Sequence, residues 1–167
     1  MSLRGLGRLI RRTGRIAEPA PPAPEAAAAD DGFVPPAALR GSAAVRHVDA
    51  GSCNGCEIEL AAAFGPVYDV ERYGARLVAS PRHADVVLVT GVVTQNMAQP
   101  LRLTLAATPT PRVVIGCGDC ALGRGPLVDG YAVAGGAADI VPVDLQVPGC
   151  PPTPDQIVAA LRRVTGR

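Results

Sequence analysis

Two short runs, residues 85–90 (DVVLVT) and 112–116 (RVVIG), are apolar at successive positions rather than at alternate ones. A strand with one face in water alternates apolar and polar side chains, so these runs read as strands buried on both faces. Helical patterns fall between the apolar runs. One covers residues 54–64, with Ile58, Leu60 and Phe64 as its apolar positions, and another covers 95–107, ending before Pro109. Residues 44–49 read as a first strand, 68–73 as a weaker one, and 140–143 as a short last strand. Residues 121–137 are Gly-rich and irregular. The last helix spans 154–164, with Thr153 as N-cap and Pro154 at its first position. Buried strands alternating with helices predict a parallel α/β sheet. Functional sites of such sheets lie at the carboxyl ends of the strands.

The chain has 167 residues, enough for one domain with a single core. Aromatic residues are 3%, with no Trp, so aliphatic side chains fill the core and an aromatic-stacking nucleic-acid module is excluded. The net charge of +1 leaves no overall electrostatic footprint for DNA. All 16 cationic residues are Arg, which rules out a Lys nucleophile, Schiff base or phosphate-loop Lys. No run reaches the roughly 18 apolar residues of a membrane span.

Three segments differ in composition. In residues 1–16, Arg4, Arg8, Arg11, Arg12 and Arg15 share one helical sector of roughly 100°. Leu3, Leu6, Leu9, Ile10 and Ile16 lie opposite, and Gly5, Gly7 and Gly14 weaken this basic amphipathic pattern. It reads either as a docking element for a membrane surface or a partner protein, or as a solvated basic tail. Residues 17–40 form a Pro/Ala-rich linker, and residues 41–167 the α/β domain. Arg11-Arg12 lacks the 7–15-residue apolar stretch of a signal peptide after it, so the chain reads as cytoplasmic, with reduced thiols available as metal ligands.

Five cysteines then need a purpose. Cys53 and Cys56 sit in GSCNGCE, Cys117 and Cys120 in IGCGDCA after a predicted strand, and Cys150 in VPGCPP. Two intervening residues let Cys53 and Cys56 reach one metal centre. Proline directly after Cys150 matches ferredoxin-type cluster motifs, where it stiffens the chain beside the ligand. Cys53, Cys56, Cys120 and Cys150, gathered from three loops, can hold a [4Fe–4S] cubane. Two rival readings stand beside it. A zinc site of Cys53, Cys56, Cys117 and Cys120 uses two Cys-x2-Cys pairs but leaves Cys150 unexplained. A thioredoxin-type dithiol at Cys53–Cys56 lacks the usual flanks.

Four motifs in order, GSCNGCE (51–57), VTGVVT (89–94), GDCA (118–121) and PGCPPTP (148–154), carry a family likeness. Over residues 44–165 the chain resembles the small subunits of NiFe hydrogenases and the related cluster-carrying subunit of the respiratory NADH–quinone oxidoreductase. The resemblance implies a flavodoxin-like α/β fold. It also implies one [4Fe–4S] cluster on Cys53, Cys56, Cys120 and Cys150, leaving Cys117 as a packing thiol or a substitute ligand. The respiratory counterpart carries adjacent cysteines at the first motif, whereas this chain has Cys53-Asn-Gly-Cys56. Uptake hydrogenase small subunits hold additional clusters, for which this chain has no cysteines. The pattern therefore looks like the small subunit of energy-converting, formate hydrogenlyase-type hydrogenases.

Such a likeness implies an electron relay within an oxidoreductase complex on the cytoplasmic face of a membrane. Its catalytic site would lie on a large subunit, carrying NiFe or shaped as a quinone pocket. A ferredoxin-like subunit and membrane subunits complete the implied partners, with no nucleic acid. A free-standing ferredoxin-like carrier and a zinc-stabilised binding module are the readings from other classes.

Other residues are secondary candidates. Glu57 and Glu59 would tune the potential or carry protons, or else serve as helix N-terminal acids. Asp119 would orient its loop or face the partner. Thr90, Gly91 and Thr94 would shape the loop and touch the cluster. His47 reads as a packed or edge residue, His83 as isolated, and Arg72 and Arg76 as solvated surface charges.

Overall fold

A computed structural model describes residues 32–167. The basic segment 1–16 and the first part of the linker lie outside the described residues. Five parallel strands form one sheet: β1 (Ala43–Asp49), β2 (Ala75–Leu77), β3 (Val86–Thr90), β5 (Val113–Cys117) and β7 (Leu145–Val147). Their order is β2-β1-β3-β5-β7, the flavodoxin-like arrangement in which the strand order reverses beside β1. Two further short strands, β4 (Val93–Thr94) and β6 (Val133–Gly135), pair antiparallel outside it. The helices are α1 (Gly55–Ala63), α2 (Gln95–Ala107) and α3 (Pro154–Thr165).

The unbroken apolar runs are explained by burial on both faces. Val86, Leu88, Val113 and Ile115 point to one side, where Leu60 and Ala63 of α1 and Ile157, Leu161 and Val164 of α3 cover them. Val87, Val89 and Val114 point to the other, against Ala98, Leu101 and Leu105 of α2. Every residue of β3 and β5 is buried. The period of two has a consequence for function, because it places His47, Thr90 and Cys117 on the α1 side, at or near the carboxyl ends of their strands.

Hydrogen bonds fix the opposite edge of the sheet twice by the same device. Asp85 Oδ2 accepts from the backbone N–H of Ala44 at 2.8 Å. Asp144 Oδ2 accepts from the N–H of Val114 at 2.7 Å. Each aspartate precedes a strand and ties it to its neighbour. At the start of α3, Thr153 and Gln156 form the capping box, with Pro154 in the first turn as expected.

Two expected strands are corrected. Residues 68–73 do not form one. Val70–Tyr73 is a 3-10 turn, and Gly74 (φ 87°) swings the chain directly into β2. The apolar side chains there pack the turn, while β2 is a three-residue edge strand burying Ala75 alone. Residues 140–143 are not a strand either, since β7 begins at Leu145. Pro142 lacks the N–H that a ladder needs, and pairing resumes only where the Asp144 N–H reaches Val114 O at 2.9 Å.

Candidate functional site

The cysteines collect at the carboxyl edge of the sheet, on turns that follow β1, β5 and β7. Asn54, in the left-handed conformation (φ 73°), turns the chain between Cys53 and the start of α1. Cys56 thus lies in the first turn of α1, where unpaired backbone N–H groups and the helix dipole favour negative charge. Cys120 lies in the turn after β5 and Cys150 in the turn after β7. Cys53 and Cys150 are exposed, whereas Cys56, Cys117 and Cys120 are buried.

The four expected ligands are brought together. Burial pushes the Cys56 thiol up to about 12, and Glu57, Cys120, Cys53 and Cys150 all add to the rise through their charge. Burial raises the Cys120 thiol as well; Cys150, Cys53 and Asp119 add to that rise, and the Leu127 N–H donating to the sulfur opposes it. Cys117 stands apart. It is the last residue of β5, wholly buried among the aliphatic side chains on the α1 side. Burial raises its thiol, and the charges it feels are Cys56 and Glu57, not Cys53, Cys120 or Cys150. The pair Cys117–Cys120 is therefore split, one sulfur entering the core and the other facing the outer thiols.

Backbone geometry holds the three turns against one another. Gly118 N–H donates to Val147 O at 2.8 Å, and Asp119 N–H to Gly149 O at 2.8 Å. Gly149 N–H returns to Asp119 Oδ1 at 3.0 Å. Asp119 thus orients the Cys150 turn. Gly118 (φ 90°) has no room for a side chain, because a Cβ there would stand 2.5 Å from Cys56 Sγ. Thr94 N–H and Oγ1 both donate to Ala50 O, at 3.0 and 3.2 Å, which fixes the turn ahead of Cys53 against the one after β3. Thr94 shapes the loop as expected.

Beneath Cys56 lies a polar network. Glu57 accepts from Ser52 Oγ at one carboxylate oxygen and from Thr90 Oγ1 at the other. His47 Nε2 lies 2.8 Å from Thr90 Oγ1 and 3.5 Å from Glu57 Oε1. Asp49 Oδ1 accepts from the N–H groups of Gly51 and Ser52, both at 2.9 Å. Burial lowers the His47 pKa from its usual 6.5, opposed chiefly by the charge of Glu57. Glu57, rather than Glu59, is the acid built into the site. Sequence reasoning also missed the place of His47 and Ser52 in it. The available signal was parity: His47 and Thr90 are polar positions in line with apolar ones on adjacent strands.

The remaining candidates lie elsewhere. His83 is exposed in the turn before β3, at the opposite edge. Arg72 stacks over Tyr73 at 4.8 Å, and Arg76 is exposed on edge strand β2. Neither is among the charges felt by the buried thiols.

Among the described residues no His, Cys, Asp and Glu side chains converge as a site for a single metal ion. The donor set nevertheless fits an iron–sulfur cluster. It offers four thiols from three turns, a helix N-terminus behind Cys56 and a side-chain-free Gly118 beside that sulfur. Fold and thiol placement together define a flavodoxin-like α/β domain with a sulfur-rich edge.

The description "NADH ubiquinone oxidoreductase, 20 Kd subunit" names a family whose model matches residues 53–164. The chain belongs to this family, which unites a subunit of NADH–quinone oxidoreductase with hydrogenase small subunits. It is 48% identical over 116 residues to formate hydrogenlyase subunit 7 of Escherichia coli K12, covering 70% of this chain and 46% of that protein. To the probable membrane-bound hydrogenase subunit mbhJ of Pyrococcus furiosus it is 47% identical over 114 residues, 68% of each chain. To the matching NADH-quinone oxidoreductase subunit of Clostridium beijerinckii it is 43% identical, covering 64% of this chain and 63% of that one. The chain thus spans about half the length of the Escherichia coli relative. Among solved structures, a chain of the archaeal membrane-bound sulfane sulfur reductase superposes with a TM-score of 0.67 at 28% identity, covering 77% of this chain and 71% of that one. A chain of an NAD+-reducing [NiFe]-hydrogenase, at 18% identity and a TM-score of 0.54 over 68% and 85% of the two chains, shares the fold. No helix among the described residues is long and apolar enough to cross a membrane.

Proposed function

We propose that this chain is an electron-transfer subunit carrying one [4Fe–4S] cluster on Cys53, Cys56, Cys120 and Cys150. Its place would be a membrane-associated hydrogenase or formate hydrogenlyase-type complex. The observation that carries the reading is the mutual approach of these four thiols at one sheet edge, with Cys117 withdrawn into the core. A zinc site on the two Cys-x2-Cys pairs would need Cys117 in its place. When bound, the cluster supplies reversible one-electron chemistry at a potential set by hydrogen bonds, charge and exposure.

This chain's own residues do the holding and the tuning. The Leu127 N–H favours thiolate at Cys120 against the rise that burial causes. Glu57 contributes a carboxylate held by two hydroxyls. Apolar surface lies beside the thiols, with Ile58 of α1 62% exposed and Leu127, whose N–H meets Cys120, 42% exposed. That surface suits a large-subunit partner carrying the reaction centre, alongside ferredoxin-like and membrane subunits. Placement on the cytoplasmic side of the membrane follows from the same reading.

A second reading is the equivalent subunit of an NADH–quinone oxidoreductase, favoured by the likeness to the Clostridium beijerinckii protein. The Cys53-x2-Cys56 spacing weighs toward the hydrogenase reading. The test is anaerobic purification with iron and sulfide analysis, followed by low-temperature EPR after dithionite reduction. About four irons per chain with a reduced-cubane signal supports the reading. Stoichiometric zinc, or no signal after reconstitution, overturns it.

A further inference from the structure

Helix α3 ends in an arginine cluster at the edge of the sheet opposite the thiols. Gly41, just ahead of β1, donates its N–H to Thr165 O at 2.7 Å, which fixes the end of the helix at that amino edge. Ala159, Arg162, Arg163, Gly166 and Arg167 line an open groove there of about 400 Å3. Arg40 borders it, since a Cβ at Gly166 would stand 3.8 Å from Arg40 Cγ. Arg40, Arg162 and Arg167 are exposed. Arg162 stacks 4.5 Å over the Tyr73 ring and donates from Nε to Arg167 O at 2.8 Å. No Asp or Glu side chain of the described residues pairs with Arg40, Arg162 or Arg167. The partial negative charge of a helix C-terminus offsets about half of one guanidinium. The groove therefore keeps a surplus of positive charge that calls for carboxylates.

The chain carries the matching charge next to it. Residues 17–31 include Glu18, Glu25, Asp30 and Asp31 and no cation. Phe33 packs against the core on the α3 side, and the Arg163 guanidinium lies 5.5 Å from the centre of its ring. The linker thus joins the fold at the groove. Asp31 and Asp30 stand two and three residues before Phe33, so their Cα atoms lie within about 7 and 11 Å of it. The groove runs along residues 159–167, about 12 Å of helix. A tether this short sets an effective concentration on the order of millimolar. On its other side Phe33 borders a groove holding both Arg112 and Asp144, whose charges cancel. The α3 side is the one with charge to spare.

We propose that Asp30 and Asp31, the acidic end of the linker, dock in the α3 groove on Arg162, Arg163 and Arg167. The contact straps the start of the α/β domain to its last helix. It also fixes the point from which the basic segment 1–16 departs, at the amino edge and away from the thiols. The proposal is independent of any cofactor.

Arginine footprinting of the full chain tests it, with phenylglyoxal as the probe and mass spectrometry as the readout. Arg162 and Arg167 are expected to be labelled several-fold more slowly in the wild type than in Asp30→Asn/Asp31→Asn. High salt should erase that difference. Exposed Arg102 on α2, on the other face of the sheet, should react equally in both chains. Equal labelling of Arg162 and Arg167 in the two chains overturns the proposal. Wild-type labelling that slows only on adding phosphatidylglycerol vesicles or polyglutamate also overturns it, and assigns the groove to a membrane or to an acidic partner. Should the double variant fail to fold, the wild type still decides. Its labelling of Arg162 and Arg167 relative to Arg102 should rise several-fold from low to high salt, and a constant ratio refutes the contact.

Discussion

Asp119 and Gly149 hold each other through two hydrogen bonds, N–H of Asp119 to O of Gly149 at 2.8 Å and N–H of Gly149 to Oδ1 of Asp119 at 3.0 Å. They couple the turn bearing Cys120 to the turn bearing Cys150. Asp119→Ala removes one of these bonds and is expected to lower stability by about 1 kcal/mol. Asp119→Asn keeps the acceptor oxygen and should stay near wild type. Urea unfolding of the metal-free chain measures both, and equal losses in the two variants would refute the clamp.

Gly118 leaves no room for a side chain beside Cys56. In Gly118→Ala the new methyl meets Cys56 Sγ at 2.5 Å and the residue must hold φ 90°. Gly123→Ala is the control, because Gly123 also has positive φ (71°) but its Cβ would find nothing nearer than 3.8 Å. The backbone alone costs of order 1–3 kcal/mol in each. Gly118→Ala should lose more than that, together with iron binding. Equal behaviour of the two variants in thermal melts and iron analysis would count against a site shaped around Cys56.

Removing the sulfurs one at a time separates packing from ligation. Cys117→Ala should keep the iron and lose roughly 1 kcal/mol, since it deletes one buried atom from the core. Cys120→Ala should abolish the cluster signal. Retained iron in Cys120→Ala, or lost iron in Cys117→Ala, would exchange the two roles.

The pH dependence of the metal-free chain follows from His47. Its folded pKa is lowered below 6.5 by burial. Between that lowered value and 6.5 the unfolded chain binds more protons than the folded one, so stability rises with pH there. The contribution is fully present above 6.5 and is lost as pH falls toward the folded value. Melting temperatures recorded from acid to neutral pH should drop on the acid side, and His47→Gln should flatten that limb. An unchanged acid limb in the variant would place the titration elsewhere.

The parallel sheet was legible because residues 85–90 and 112–116 carry no polar alternation, and both became strands buried on two faces. Helix α2 was legible from periodicity and from Pro109, and α3 from Thr153 and Pro154. Weak strands were not. Tyr68 and Val70 are apolar for the sake of a turn, and the ladder of β2 rests on one buried alanine. Pro142 should have argued against a strand at 140–143. At the site, the thiols could be found by spacing and by family likeness. The Glu57–Thr90–His47 chain could not, because it joins a helix to two strands that are distant in sequence. Only pairing of Asp49 with Thr90, and of His47 with Leu88, brings those side chains level.

The sulfur-rich edge draws Cys53 and Cys56 from the turn after β1 and the start of α1, and Cys150 from the turn after β7. Strand β7 reaches its place only by docking on β5, and α3 then closes the face. A chain still emerging from the ribosome can display the early pair of thiols, but it has no fourth sulfur to offer. On the cluster reading, the four-thiol edge is complete only once the outermost strand has docked.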